Sequence, residues 1–152
     1  MIAQYAPYAM AVILAAAFLL EIRTGRIPNW LSALPFVIFA VILVMAEDRS
    51  ALIWQMILAA CVFGFGLGMF AIGGMGAGAV KLMTGTVLFI PYENAFYALL
   101  VYFAVFFTST LFFVQVRKYF GSDDSNWYLM ANAVLPLSFT IGVAGICGMF
   151  VF

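Results

Sequence analysis

Apolar runs alternate along this chain with short polar breaks, and several runs are long enough to cross a membrane. A helix rises about 1.5 Å per residue, so it spans the hydrocarbon layer in about 20 residues. The first run extends from about Tyr8 to Leu20 and stops at Glu21-Ile22-Arg23-Thr24-Gly25-Arg26. Pro28 biases Ile27 away from helix and suits the start of a second run, about Trp30 to Ala46, which ends at Glu47-Asp48-Arg49-Ser50. A third run, about Ala51 to Ile72, dissolves into Gly73-Gly74-Met75-Gly76-Ala77-Gly78. The fourth starts near Val80, passes Gly85 and is interrupted by Pro91-Tyr92-Glu93-Asn94. It is short for a full crossing, so the expectation is a tilted or locally thinned span, or a helix that continues through Pro91 with a kink. The fifth run, about Ala95 to Val116, is rich in Phe and ends at Arg117-Lys118. Beyond the hydrophilic stretch Gly121-Ser122-Asp123-Asp124-Ser125-Asn126, a sixth goes from Trp127 to the C-terminus. The pattern predicts an all-α polytopic membrane bundle of about six transmembrane helices, one domain over residues 1–152.

Composition strengthens that reading. Hydrophobic residues make up 68% of the chain and charged ones 8%, against about 25% charged in a soluble domain. The outer surface therefore has the lipid bilayer as its partner. A formal net charge of +0 argues against a nucleic-acid partner, which needs a clustered basic excess. The two cysteines, Cys61 and Cys147, lie inside apolar runs, form no CxxC pair and have no histidine beside them, so neither a metal nor a cofactor is expected. They read as small buried packing residues. The first basic residue, Arg23, follows the first apolar run instead of preceding it, unlike a cleaved signal peptide.

The basic residues also suggest an orientation. With both termini outside, the first, third and fifth loops are cytoplasmic and hold Arg23, Arg26, Lys81, Arg117 and Lys118. Only Arg49, of six Lys and Arg in all, is then outside. Gly64 and Gly68 form a GxxxG in the third run, and Gly142, Gly145 and Gly148 repeat in the sixth, with Ala144 four before Gly148. Small residues let helix backbones approach closely, and both sets are expected to pack within the bundle. The aromatic-rich fifth run reads as lipid-facing or packing surface, and Trp30, Trp54 and Trp127 as interfacial anchors near span ends.

Two polar islands combine features that could carry chemistry, and both fall on the expected cytoplasmic face. In the first, Glu21 closes an apolar helix beside Arg23 and Arg26, ahead of Ile27-Pro28-Asn29. Its bland reading is interfacial termination with snorkelling arginines. The second runs from Gly73 to Leu82, and six of its first seven positions are Gly or Ala. Glycine permits close backbone approach and positive φ, and a plain interhelical turn seldom needs four glycines followed by a buried-looking lysine, Lys81.

Together the islands resemble the type IV prepilin peptidases, most closely the short form associated with tight-adherence (Flp) pili. Arg23-Thr24-Gly25-Arg26-Ile27-Pro28-Asn29 is similar to the stretch that follows the family's first catalytic aspartate. Gly76-Ala77-Gly78-Ala79-Val80-Lys81 is similar to the family's Gly-x-Gly-Asp-x-Lys, apart from one position. The resemblance covers essentially the whole chain. It implies an aspartic-type endopeptidase of the bacterial inner membrane that cuts prepilin leaders at the cytoplasmic face, with a prepilin or pilin-like helix as partner. Pro28, Asn29, Gly76, Gly78 and Lys81, with Arg23 and Arg26, would support the site. The larger members' cysteine-containing insertion has no counterpart here, so no zinc is implied.

The departures from that pattern fall on the chemistry. Glu21 stands where the resemblance places the first aspartate and Ala79 where it places the second. Two-carboxylate proteolysis needs one protonated group and one ionised group that activates water. Glu21 keeps a carboxyl group with a longer reach, whereas Ala79 has no ionisable atom, so the chain is expected to be inactive. A laboratory substitution and a natural pseudopeptidase both account for Ala79; Glu21 favours the second, because Asp→Glu is a poor way to engineer inactivity. The alternative function is a non-catalytic membrane component that binds pilin or secretion partners.

Overall fold

The computed structural model describes residues 2–46, 49–120 and 136–151. Among the described residues there are six α-helices and no strand: α1 (Ile2–Thr24), α2 (Asn29–Met45), α3 (Ser50–Ala71), α4 (Ala77–Val87), α5 (Ala95–Phe120) and α6 (Leu137–Phe150). A short 3-10 turn, Tyr92–Asn94, precedes α5. The all-α bundle is therefore as expected, with α2, α3 and the start of α5 within one residue of the apolar runs. Backbone polar groups cannot be left bare in hydrocarbon, so each apolar run satisfies its own amides as helix. Trp127 and the beginning of the expected sixth run lie outside the described residues.

Among the described residues three stretches, Tyr5–Thr24, Ser50–Ala71 and Tyr92–Val116, are long and apolar enough to cross a membrane. α2 and α6 are apolar but shorter, at 17 and 14 residues. The fourth segment departs from a full crossing. α4 has 11 residues, about 16 Å at the usual rise, roughly half the hydrocarbon layer. It does not continue through Pro91. The Phe89 and Ile90 amides turn back onto the Thr86 and Val87 carbonyls at 3.1 Å each, and Leu88, Phe89 and Ile90 stay buried as the chain leaves the helix.

The two short helices α4 and α6 occupy the middle of the bundle. α4 packs on α2, α3 and α6, and α6 packs on α1, α4 and α5. α1 and α6 are antiparallel: Tyr8 meets Phe150 with ring centroids 5.2 Å apart, and Phe18 meets Phe139 at 5.3 Å. α5 and α6 are also antiparallel, with Ser109 and Thr140 hydroxyls 3.3 Å apart and Ala98 beside Gly148. The core cluster runs through Met10, Leu14 and Ala17 of α1, Leu31 and Phe39 of α2, Val80 and Leu82 of α4, and Ile141 of α6.

Glycine use separates two faces that look alike in sequence. A Cβ on Gly145 would strike Thr86, and one on Gly148 would stand 2.9 Å from Ala98, so α6 needs both, as its spacing suggests. Gly64 and Gly68 correct the expectation of packing within the bundle: both are exposed, and a Cβ on either meets nothing within 4 Å. The contact residue of α3 is Gly66, where a Cβ would lie 2.7 Å from Val80. Cys61 is likewise corrected from buried to exposed, while Cys147 is intermediate. An apolar cleft of about 390 Å³ opens beside Cys61, between α3 and α5 and over α4 and α6.

Candidate functional site

At one end of the bundle two chain turns meet the first turn of α6. Gly25, at φ +67°, ends α1, and its amide bonds the Glu21 carbonyl at 2.8 Å. The left-handed conformation suits glycine and turns the chain sharply across the helix end. Pro28 then holds an extended backbone, φ −63° and ψ 141°, and its carbonyl accepts the Leu31 and Ser32 amides at 3.1 and 3.2 Å. Proline at this entry costs no amide that α2 could have paired. Asn29 is the first residue of α2.

The glycine island builds the second turn. α3 closes with Gly73 at φ +75°, its amide on the Phe70 carbonyl at 3.0 Å, while the Gly74 amide reaches Met69 at 2.9 Å. Gly76 is the extended residue before α4, and its carbonyl accepts the Val80 amide at 3.1 Å. Gly78 and Ala79 therefore lie in the first turn of α4.

These two islands, 52 residues apart at the bonded pair, touch. Lys81 Nζ donates to Asn29 Oδ1 at 3.1 Å. A Cβ on Gly78 would lie 2.8 Å from the Ile27 carbonyl oxygen and 3.0 Å from its Cβ, so only glycine lets α4 begin against the loop before Pro28. Lys81 is exposed and not buried as its sequence context suggests, because its ammonium group snorkels out to Asn29. Arg23 and Arg26 are also exposed at this end.

Glu21 and Ala79 are both buried, and their surroundings differ in kind. Ala79 is 4% exposed and belongs to the apolar core. Glu21 is 8% exposed, and its Oε2 accepts the Ser138 amide at 2.8 Å and the Ser138 hydroxyl. The first turn of α6 thus lies at the same end as the two islands. Ser138 is the residue that inspection of the motifs missed. A usable signal exists in Pro136, since a proline followed by an apolar run marks a helix start.

The family model for the type IV leader peptidase family matches residues 8–152. The chain belongs to that family. No curated protein and no solved structure matches it. Among the described residues of this leader peptidase family member, no group of three or more His, Cys, Asp or Glu could hold a metal ion. Glu93, in the 3-10 turn beyond α4, lies at the opposite end of that helix from Ala79, so it offers no substitute carboxylate. Asp123 and Asp124 lie outside the described residues.

Proposed function

We propose that this chain is a prepilin leader peptidase scaffold of the short, tight-adherence (Flp) type whose proteolysis is switched off at residue 79. The observation that carries the reading is the join between the two islands, Lys81 to Asn29 and Gly78 against Ile27. Elements distant in sequence are held together around a position that carries only a methyl group. In the family's reaction two carboxyl groups share the work on one water, the ionised one taking its proton while the other protonates the scissile amide. Ala79 can do neither. Glu21 and Ala79 fill the positions of the pair, while Arg23, Arg26, Pro28, Asn29, Gly76, Gly78 and Lys81 shape and charge the mouth.

The working face is cytoplasmic, in a bacterial inner membrane, with both termini outside. Helix directions support this. α1, α3 and α5 end, and α2, α4 and α6 begin, at the end where the islands meet. Arg23, Arg26, Lys81 and the Arg117-Lys118 pair therefore gather there, and Arg49 sits at the other end. The partner is a prepilin or pilin-like helix, delivered within the bilayer, with no cofactor required.

Ala79→Asp tests the function. The substitution returns a carboxylate to the first turn of α4, where the helix dipole favours negative charge. The variant should gain pH-dependent cleavage of a prepilin substrate, an activity absent before the change. Cleavage by the unaltered chain would refute the switched-off reading. A folded Ala79→Asp protein that binds prepilin without cutting it would favour a second reading, a non-catalytic pilin- or secretion-partner binder. That second reading is supported by Ala79 itself, which brings no ionisable group and packs in the apolar core. A small channel is disfavoured, because the cleft between α3 and α5 is lined almost wholly by apolar residues such as Leu58, Phe65, Leu99 and Phe103.

A further inference from the structure

We infer that Ser138 is a positioning residue for the Glu21 carboxyl group, and that the first turn of α6 is a clamp matched to a glutamate at position 21. The inference rests on the peptidase-scaffold reading for its catalytic consequence, though not for its geometry. The first amides of a helix have no partner within that helix. The residue before α6 is Pro136, whose side chain makes no capping bond, and only the Phe139 amide returns to its carbonyl, at 3.2 Å. The Ser138 amide is thus open to an acceptor from outside, and Glu21, 117 residues away, supplies it.

The Ser138 hydroxyl is available for the same reason. The buried hydroxyls of α4 satisfy themselves one turn back, Thr84 on the Val80 carbonyl at 2.9 Å and Thr86 on Leu82 at 2.8 Å. Ser138 is the second residue of α6, so that helix itself offers it no carbonyl one turn back. Fully buried, at 0% exposure, its hydroxyl turns to Glu21 Oε2. Two donors of one residue converge on one oxygen, which fixes the rotation as well as the place of the carboxyl group. An aspartate on the same backbone would withdraw that group by about one carbon–carbon bond, 1.5 Å. The 2.8 Å amide bond would then stretch beyond hydrogen-bonding range. Glutamate at position 21 is accordingly a fit to Ser138, not an idle enlargement of an aspartate.

The test uses full-length protein in lipid nanodiscs, carrying Ala79→Asp so that turnover can be read. Ser138→Ala, Ser138→Thr and Glu21→Asp are added singly. A misplacement of about 1 Å costs around a hundredfold in rate, so Ser138→Ala and Glu21→Asp should lower kcat by about 10- to 100-fold with KM little changed. Ser138→Thr, which restores the hydroxyl, should recover most of the loss. The infrared band of the residue-21 carboxyl group, assigned by difference with Glu21→Gln, should move in Ser138→Ala and return in Ser138→Thr. An unchanged kcat together with an unmoved band in Ser138→Ala would overturn the inference. If Ala79→Asp does not cut at all, the peptidase reading fails by itself. The band then decides the clamp alone: movement supports it, and no movement overturns it. Should Ser138→Ala not give monodisperse protein, Ser138→Cys is measured in its place.

Discussion

The helices α4 and α5 differ in the direction their side chains are asked to face. α4 buries seven of its 11 residues, and they include Ala79, Thr84, Gly85 and Thr86. α5 has 26 residues, and only 6% of its most apolar stretch is buried, leaving Phe96, Phe107, Leu111 and Phe112 exposed. The more hydrophobic helix is thus the outer one. Lipid tails are as apolar as leucine, so nothing drives large apolar side chains inward, and contact is made where small residues let backbones meet. Hydroxyl groups follow the small residues inside because they find partners there. Among the described residues, no buried side-chain nitrogen or oxygen lacks a hydrogen bond.

Four measurements would break or sharpen that contrast. The largest effect is expected from Phe107→Asp, near the middle of α5 and 64% exposed. An aspartate at a lipid-facing helix centre costs about 2.5–3.5 kcal/mol of insertion, so the yield of membrane-integrated protein should collapse. Normal insertion would mean that α5 faces a polar partner and not lipid. Next comes Gly145→Leu, whose Cβ would strike Thr86. Thermal unfolding in detergent should show a loss of at least about 2 kcal/mol, whereas Gly64→Leu and Gly68→Leu should stay within about 0.5 kcal/mol. A large loss at Gly64 or Gly68 would show that the outer face of α3 is covered by another chain.

A smaller difference should separate Leu82→Ala from Leu111→Ala. Leu82 is 0% exposed and Leu111 69% exposed. In lipid the transfer component of a leucine deletion largely cancels, leaving the cavity, so about 1–2 kcal/mol is expected inside and almost none outside. Equal losses in the same unfolding assay would contradict the placement of Leu82 inside the bundle and Leu111 on its rim. The smallest effect belongs to Lys81→Met, which removes one exposed hydrogen bond to Asn29 and should cost under about 1 kcal/mol. In the Ala79→Asp background the same change should lower cleavage while leaving the unfolding temperature nearly unchanged. Parallel losses of both would reduce Lys81 to a structural role.

Sequence by itself determined α2 and α3 and the breaks that bound them. The run Ala51 to Ile72 became α3, Ser50–Ala71, and the run from Trp30 to Ala46 became α2, Asn29–Met45. Those boundaries are local: hydrocarbon forces an apolar run to pair its own amides, and Gly25, Pro28 and Gly73 stop it wherever they occur. The two islands were legible for the same reason, as polar and glycine-rich breaks of unusual composition. Only the tertiary structure decided which face of each helix turns inward. α3 carries Gly64, Gly66 and Gly68 in one apolar stretch, and nothing in their spacing says that Gly66 alone meets Val80. The bond between Lys81 and Asn29, the half-length of α4 and the hold of Ser138 on Glu21 belong to the same class. With lipid as apolar outside as the core is inside, hydrophobicity is nearly uniform around each helix, and the inward face is chosen by shape and hydrogen bonding between segments far apart in the chain.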